Sequence, residues 1–217
     1  MAKCSKKNES TPDDLLDQAG DSSCDLVQTE KEERNLHYIN IDGPITEPDK
    51  YRQVYSILRK ASLDDLIILI LNTAGGLVST TMQLYNYLLT TNATTIAEIH
   101  TAYSGGSVLA LACDNIHVAK FGSMMIHSLS AGSSGKMHEI EGQVAFFNQF
   151  NDKTLRELYS GFLTEAEIKT VFDGKDIWMM EDDILKRLKN WKPVRQRITE
   201  KNIKEEKKKT NKAGKVK

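Results

Sequence analysis

The 217-residue sequence has few of the features by which whole classes of protein are recognised. Its three cysteines (Cys4, Cys24 and Cys113) are an odd and widely spaced set, which favours reduced thiols in a cytosolic setting over a disulfide framework. No segment approaches the ~20 consecutive apolar residues that a membrane-spanning helix requires. The N-terminal residues lack the apolar core of a signal peptide. We therefore expect a soluble cytoplasmic protein without a membrane partner.

Sequence motifs for nucleotide or metal binding are also missing. No glycine-rich phosphate loop with its lysine occurs, so we expect no ATPase activity in this chain. Four histidines share no metal-ligand spacing with one another: His37, His100, His117 and His138. The pair Cys113 and His117 is isolated and makes a weak zinc site. These absences predict a protein that works without a metal or a cofactor.

The formal net charge of −1 hides an asymmetry between the two ends of the chain. Residues 1–33 carry four lysines against nine acidic residues, whereas residues 192–217 carry eleven basic against three acidic residues. Both segments lack periodic apolar residues, so we predict two disordered tails around a domain at 34–191. The basic tail is a possible contact for nucleic acid or an acidic partner. A solvated tail is the commoner case, and we do not expect a nucleic-acid partner.

Strand-like and helix-like segments alternate between the tails. The strand-like segments are 36–41, 66–71, 95–99, 116–119 and 124–127, and the helix-like segments are 48–61, 79–90 and 107–112. This alternation predicts an α/β fold of βαβ units with a mostly parallel sheet. Residues 128–136 are rich in serine and glycine and predict a loop or a flexible edge strand. A capping-box pattern at Thr164–Glu167 predicts the start of a further helix.

A long amphipathic segment at 137–161 predicts an unusually long helix. A helix of ~24 residues is about 36 Å long, which is more than the core of a small domain needs. Its apolar side chains include Phe146, Phe147, Phe150, Leu155 and Leu158. Because large exposed apolar surfaces usually mark interfaces, this segment predicts contact with another copy of the chain.

Six consecutive apolar residues at 66–71 predict a strand buried on both faces, which is typical of a parallel sheet. The run opens into Asn72-Thr73-Ala74-Gly75-Gly76. Glycines at the carboxyl end of such a strand can present bare backbone N–H groups to a ligand. The N–H groups of Gly76 and Gly105 are therefore candidate oxyanion-hole donors for a tetrahedral intermediate.

Ser104, His127 and Asp176 stand in chain positions that suit a serine-protease triad. Ser104 lies in a small-residue turn between a strand and a helix, and His127 ends the apolar run Met124-Met125-Ile126. A serine hydroxyl needs an imidazole to take its proton and a carboxylate to fix the tautomer of that imidazole. A serine in such a turn is more often a helix N-cap, and Ser107 is a rival nucleophile that should instead point into the fold.

With these motifs in place, the sequence from 35 to 188 resembles the proteolytic subunit of Clp protease, the ClpP family, of the ClpP/crotonase-like fold. The resemblance covers the strand and turn at 38–45, the loop ending in Gly75-Gly76, the turn at Ser104 and the segment ending in His127. The residue spacings from Ser104 to His127 and from His127 to Asp176 are close to those of the family. The sequence departs from the family pattern at Ala74, Gly105 and Ser128-Leu129, which is typical of a divergent, for example viral, member.

The resemblance implies a fold, an activity and partners. It implies repeated ββα and βαβ units with a protruding handle helix, and a serine endopeptidase with Ser104 as nucleophile, His127 as base and Asp176 as orienting acid. Gly76 and Gly105 would form the oxyanion hole. It further implies stacked heptameric rings joined by the handles, unfolded polypeptide substrates, and a separate AAA+ unfoldase that alone uses ATP.

Two other functions remain open from the sequence. A crotonase-type acyl-CoA hydratase or isomerase shares the fold and the backbone oxyanion hole, but it needs a carboxylate base near the glycines. Glu98 is the nearest upstream acidic residue, and it lies within a predicted strand. The third possibility is a catalytically silent subunit that builds rings with an active partner.

Overall fold

The computed structural model describes residues 27–31, 34–130, 132 and 134–213 of the chain. Its strands are β1 (Val27–Lys31), β2 (Asn35–Asp42), β3 (Leu66–Thr73), β4 (Thr94–Tyr103), β5 (Asn115–Ile126) and β6 (Ile177–Met180). They form one sheet in chain order, β1-β2-β3-β4-β5-β6. The inner strands β2 to β5 are parallel, and β1 and β6 pair antiparallel at the two edges. The α/β architecture with a largely parallel sheet is confirmed.

The helices connect and cover these strands. They are α1 (Arg52–Lys60), α2 (Val78–Thr90), α3 (Gly105–Ala112), α4 (Met137–Tyr159), α5 (Glu165–Phe172), α6 (Glu181–Leu188) and α7 (Val194–Ala213), with a 3-10 turn before α1. The predicted capping box is present at the start of α5, where Thr164 and Glu167 exchange hydrogen bonds. In the part of the chain that the structure describes, no helix has the length and apolar character to cross a membrane.

The hydrophobic core lies on one face of the sheet. On β3, the side chains of Ile67, Leu69 and Leu71 are fully buried, while Ile68 and Ile70 on the opposite face are only half-buried. The prediction of a strand buried on both faces was therefore wrong for the single chain. The apolar run is typical of a strand covered on both faces, but in the single chain the second face of β3 stays partly open.

Strand β5 differs from the prediction in one respect. The two short strands predicted at 116–119 and 124–127 are one continuous strand, β5, interrupted by an irregularity. Pairing with β4 passes from Ile99 opposite Val118 to Thr101 opposite Ser123, so β5 carries extra residues there. Phe121 within this bulge has a positive φ of 64°. The bulge re-aims the strand end that carries His127.

The segment after α5 forms elements that the sequence did not predict. Asp176 is followed by β6 and then by α6, which packs against β5. The Arg187 guanidinium of α6 donates a 2.6 Å hydrogen bond to the carboxylate of Glu167 on α5. This bond, above all other causes, lowers the pKa of Glu167 to about 2. The ion pair ties together the two helices that flank Asp176.

Both tails were predicted to be disordered, and the structure corrects part of each prediction. Residues 27–31 form edge strand β1, whereas residues 1–26, 32 and 33 lie outside the described residues. Within the basic segment, Val194–Ala213 forms α7, because its first turn is anchored in the domain, and residues 214–217 lie outside the described residues. Val194 is buried, and the Arg195 side chain donates hydrogen bonds to Asp114 and to the carbonyl of Ala93.

Helix α4 is half inside and half outside the domain. Leu155, Leu158 and Tyr159 near its end are buried in the core. Its first half is almost wholly exposed, and Phe146 shows 60% of its surface to solvent. The long helix predicted from the sequence is confirmed, and it projects from the domain as a handle.

Candidate active site

The carboxyl ends of β3, β4 and β5 meet at one edge of the sheet. Thr73, Ala102 and Met124 lie at one level across the three strands. The chain therefore leaves β3 into the Gly75-Gly76 loop, β4 into the turn at Ser104, and β5 into His127, all at the same place. Open α/β sheets place their ligand sites at this edge.

Ser104 occupies a strained turn between β4 and α3. Its φ of 53° and ψ of −116° form a conformation that few residues other than glycine adopt. The turn is held because the Ser104 N–H donates a 2.9 Å hydrogen bond to the carbonyl of Met125 on β5. The side chain makes no capping hydrogen bond to α3. The N-cap interpretation therefore does not account for this serine.

The Ser104 hydroxyl instead contacts the imidazole of His127. The distance between Ser104 Oγ and His127 Nε2 is 2.7 Å, which is a good hydrogen bond. Both side chains are partly exposed, so the pair is open to a substrate. The arrangement lets the imidazole take the hydroxyl proton as an acyl group is attacked.

The chain after His127 is fixed to the handle helix by Asn151. The Asn151 side chain accepts a hydrogen bond from the Leu129 N–H at 3.0 Å and donates one to Ser128 Oγ at 3.2 Å. Ser128 Oγ in turn donates to the carbonyl of Val171 before the Asp176 segment. These bonds link the segments that carry the predicted base and acid.

Asp176 immediately precedes β6, and His127 immediately follows β5. The two strands pair antiparallel, and Ile126 opposite Ile177 is the last pair of their ladder. His127 and Asp176 therefore continue from the same end of this ladder. The Asp176 side chain is exposed, and no hydrogen bond joins it to His127. The sequence-predicted acid thus lies by the strand end that carries His127, without a hydrogen bond to the imidazole.

The Gly75-Gly76 loop packs directly against the turn at Ser104. Gly75 has a φ of +92°, and a Cβ there would lie 2.6 Å from Ser104 Cβ. A Cβ on Gly76 would collide with the carbonyl of Ile45. The loop is fixed by hydrogen bonds between Ile45 N–H and Gly75 O, and between Leu77 N–H and Ile45 O. Only glycine allows this close approach.

The amides predicted as oxyanion donors have no backbone acceptor in the described residues. Gly105 is the first residue of α3, where helix geometry leaves N–H groups unpaired. Gly76 lies on the loop that packs against the same turn. Both glycines line the cavity that contains Ser104. They are therefore available to donate to an oxygen beside the Ser104 hydroxyl.

Ser107, the rival nucleophile, is fully buried. Its hydroxyl donates to the Ser104 carbonyl at 2.7 Å and lies 2.8 Å from the hydroxyl of Tyr159. It therefore points into the fold, as the sequence predicted. Burial raises the pKa of the Tyr159 hydroxyl to about 12, so Tyr159 keeps its proton at neutral pH.

A cavity of about 320 Å³ opens over Ser104 and His127. Its walls combine the Gly76 loop, α2, α3 and the second half of α4. The lining is largely apolar and includes Val78, Met82, Val108, Met125, Leu129, Phe150, Leu155 and Leu158. Within the described residues, no three His, Cys, Asp or Glu side chains come together as a metal site.

Sequence reasoning missed Asn151, Tyr159 and the packing role of Gly75. Asn151 and Tyr159 reach the site from a helix that begins 10 residues after His127, and nothing local marks either side chain. Gly75 carried a signal, because paired glycines after a buried strand indicate a close backbone approach. That signal did not say which of the two glycines meets the serine.

Comparison with known proteins gives one family match. A family model described as Clp protease matches residues 27–209, which is most of the chain. No curated protein matches the chain. The family match includes β1 and most of α7, the two elements that the sequence-based domain limits of 34–191 excluded.

Replacing Gly75 with alanine should disable the site. The new Cβ would meet Ser104 Cβ at 2.6 Å and the Gly105 nitrogen at 2.9 Å, so the turn would have to move. Reaction of the folded protein with a fluorophosphonate probe should slow by at least roughly a hundredfold, the usual effect of losing oxyanion geometry.

Gly43→Ala is the matched control, because Gly43 also has a positive φ, of 77°, and a Cβ there meets nothing within 4 Å. That variant should lose about 1 kcal/mol of stability and keep its labelling rate. Equal labelling of the Gly75 and Gly43 variants would contradict the packing role of Gly75.

Proposed function

The chain belongs to the Clp protease family, and from that premise we propose that it is a serine endopeptidase that cleaves unfolded polypeptides. The observation that carries the proposal is the 2.7 Å hydrogen bond between Ser104 Oγ and His127 Nε2. Beside it lie the N–H groups of Gly76 and Gly105, which have no backbone acceptor among the residues that the structure describes. A nucleophile, a base and oxyanion donors at one cavity are the parts that acyl transfer requires.

The proposed reaction begins with attack of Ser104 Oγ on the peptide carbonyl carbon. His127 Nε2 takes the hydroxyl proton as the new C–O bond forms. The N–H groups of Gly76 and Gly105 bind the resulting oxyanion, and each such donor contributes roughly 3 kcal/mol of transition-state stabilisation. The imidazolium then gives its proton to the amine as the C–N bond breaks. Water, activated by the same imidazole, hydrolyses the acyl-enzyme.

Asp176 is proposed to orient His127 in the active form. Asp176 is exposed, and it precedes the β6 residue that pairs with Ile126, so the two residues flank the same end of the β5–β6 ladder. A bond between the Asp176 carboxylate and Nδ1 of the imidazole would select the tautomer with its free nitrogen toward Ser104 and would stabilise the imidazolium. The Ser128, Asn151 and Val171 hydrogen bonds support this assignment, because they keep the two segments together.

The cavity walls suggest which bonds are cleaved. Side chains of Met82, Leu129 and Phe150 border the space beside Ser104. An apolar substrate side chain next to the scissile bond would be buried there. We propose a preference for medium-sized or large apolar residues on the acyl side of the cut.

The partners are proposed from the family and from the exposed handle. We propose stacked heptameric rings in which the handles join two rings, and a separate AAA+ unfoldase that supplies substrates and uses the ATP. The protein itself would need no metal or cofactor, and we propose a cytoplasmic location.

Neither alternative function is favoured by a particular contact. Glu98, the acid that a crotonase mechanism would need, lies on β4 six residues before Ser104, or roughly 20 Å along an extended strand. Its carboxylate is bonded to His100 at 2.9 Å. A silent subunit would have no need of the Ser104–His127 pair.

Covalent labelling tests the proposed nucleophile. Incubated with a fluorophosphonate, the full-length protein should gain one adduct per chain, and peptide mapping should place it on Ser104. Ser104→Ala should remove both the adduct and the cleavage of a fluorogenic peptide while the assembly stays whole, because this partly exposed hydroxyl adds little to packing. An adduct on Ser107, or none, would show that the proposed mechanism is wrong.

Replacing Asp176 with asparagine tests the proposed acid. The amide keeps the shape but favours the wrong imidazole tautomer, so kcat for peptide cleavage should fall by about three to four orders of magnitude. Asp173→Asn, in the same exposed turn, is the matched control and should change kcat less than about twofold. Near-normal cleavage by the Asp176 variant would assign the orienting role elsewhere.

Assembly through the handle is tested best at Phe146. Phe150 is a poor choice because it lines the cavity over Ser104, whereas Phe146 is 60% exposed and is not among the lining residues. Phe146→Asp with Val144→Asp should convert a large assembly into single rings or smaller species in gel filtration with light scattering. Leu63→Asp, at another exposed apolar position, should leave the assembly intact. A wild-type monomer of 24.4 kDa at micromolar concentration would refute the ring proposal.

A further inference from the structure

A chain of hydrogen bonds connects the end of the handle helix to the candidate nucleophile turn. The Ser107 hydroxyl donates to the Ser104 carbonyl at 2.7 Å, and the Tyr159 hydroxyl lies 2.8 Å from Ser107 Oγ. Ser107 is fully buried and Tyr159 is 3% exposed, so both hydroxyl groups belong to residues of the interior. The two residues come from α3 and from the last position of α4.

The direction of these bonds follows from counting protons. A carbonyl oxygen can only accept a hydrogen bond, so the single hydroxyl proton of Ser107 is donated to the Ser104 carbonyl. The Ser107 oxygen must then accept from its other neighbour, and Tyr159 is the donor. Burial raises the pKa of Tyr159 to about 12, which keeps that proton in place. The order is thus Tyr159 O–H to Ser107 Oγ–H to Ser104 C=O.

The Ser104 carbonyl, which is the last acceptor in this series of hydrogen bonds, belongs to the same peptide group as the Gly105 N–H. A trans peptide is planar, so its C=O and N–H point in opposite directions and turn together. The plane is set by the ψ of Ser104, which is −116° in a strained conformation. Whatever fixes the Ser104 carbonyl therefore also aims the Gly105 N–H.

We propose that Ser107 and Tyr159 are positioning residues that aim the Gly105 N–H at the oxyanion. This inference rests on the proposed peptidase function. The helix already gives the Ser104 carbonyl two backbone donors, Ser107 N–H at 3.0 Å and Val108 N–H at 3.4 Å. The shorter 2.7 Å bond from the Ser107 hydroxyl adds a direction that the helix alone does not supply. Through Tyr159, the handle helix thus helps to position a donor of the oxyanion hole.

The test uses the full-length protein with Tyr159→Phe, Ser107→Ala and the double variant. Each single variant should lower kcat for a fluorogenic peptide about tenfold, less than the loss of a whole oxyanion donor, while KM changes less than about twofold. The inhibition constant of a peptide boronate, whose tetrahedral adduct uses the same donors, should rise by the same factor. The double variant should be no slower than either single variant, because one chain of bonds is broken in each case.

Two control variants remove buried groups that take no part in the hydrogen bonds among Tyr159, Ser107 and Ser104. Tyr85→Phe deletes a buried hydroxyl that has no hydrogen-bond partner in the described residues, and Cys113→Ala deletes a buried thiol just after α3. Both should keep kcat and boronate affinity at the wild-type level, with thermal unfolding measured for all variants.

Three results would overturn the inference. They are kcat within about twofold of wild type in both single variants, a rise in KM with unchanged kcat, or losses that multiply in the double variant. If the wild-type protein neither labels at Ser104 nor cleaves peptides, the proposed function fails and this inference fails with it. If the wild type labels and cleaves but Tyr159→Phe is unaffected, only the positioning role is lost.

Discussion

The parallel register of β3, β4 and β5 is the constraint on which the candidate site depends. Because Thr73, Ala102 and Met124 lie at one level, the segments that leave the three strands must share one small volume. The Ser104 N–H bond to Met125 O fixes the turn across that edge. A shift of two residues along any one strand would move its loop by roughly 7 Å and separate the serine from the histidine.

This crowding accounts for the conformations at the site. The turn at Ser104 holds a backbone conformation that costs on the order of 1–3 kcal/mol. It persists because hydrogen bonds surround it, from β5 through Met125 and from α3 and α4 through Ser107 and Tyr159. Gly75 faces this strained turn, and only a residue without a side chain lets the loop pack against it. The turn at Ser104 is thus held from both the sheet and the helices, while the Ser104 and His127 side chains stay partly exposed.

The single chain leaves apolar surface that its own core does not cover. The outer sheet face carries half-buried Ile68 and Ile70, and the first half of α4 projects into solvent with Phe146 exposed. The same helix ends in the core, where Asn151 and Tyr159 reach the segments around His127 and Ser104. One helix thus carries both an exposed apolar surface and side chains that contact the candidate site.

Much of this protein is determined locally and could be predicted from the sequence. Apolar runs, glycine pairs and helical periodicity specify the strands, the loop after β3 and the long helix, because each depends on neighbouring residues. Strands β1 and β6 and helix α7 were missed because their positions depend on distant contacts, such as Arg195 with Asp114 and Ile177 with Ile126. The sequence also singled out Ser104 and His127, but it could not give their 2.7 Å separation, the buried partner of Ser107, or the exposed state of Asp176. Those were decided by the tertiary structure alone, since side chains that are remote in sequence meet only after the parallel strands have set the distance between them.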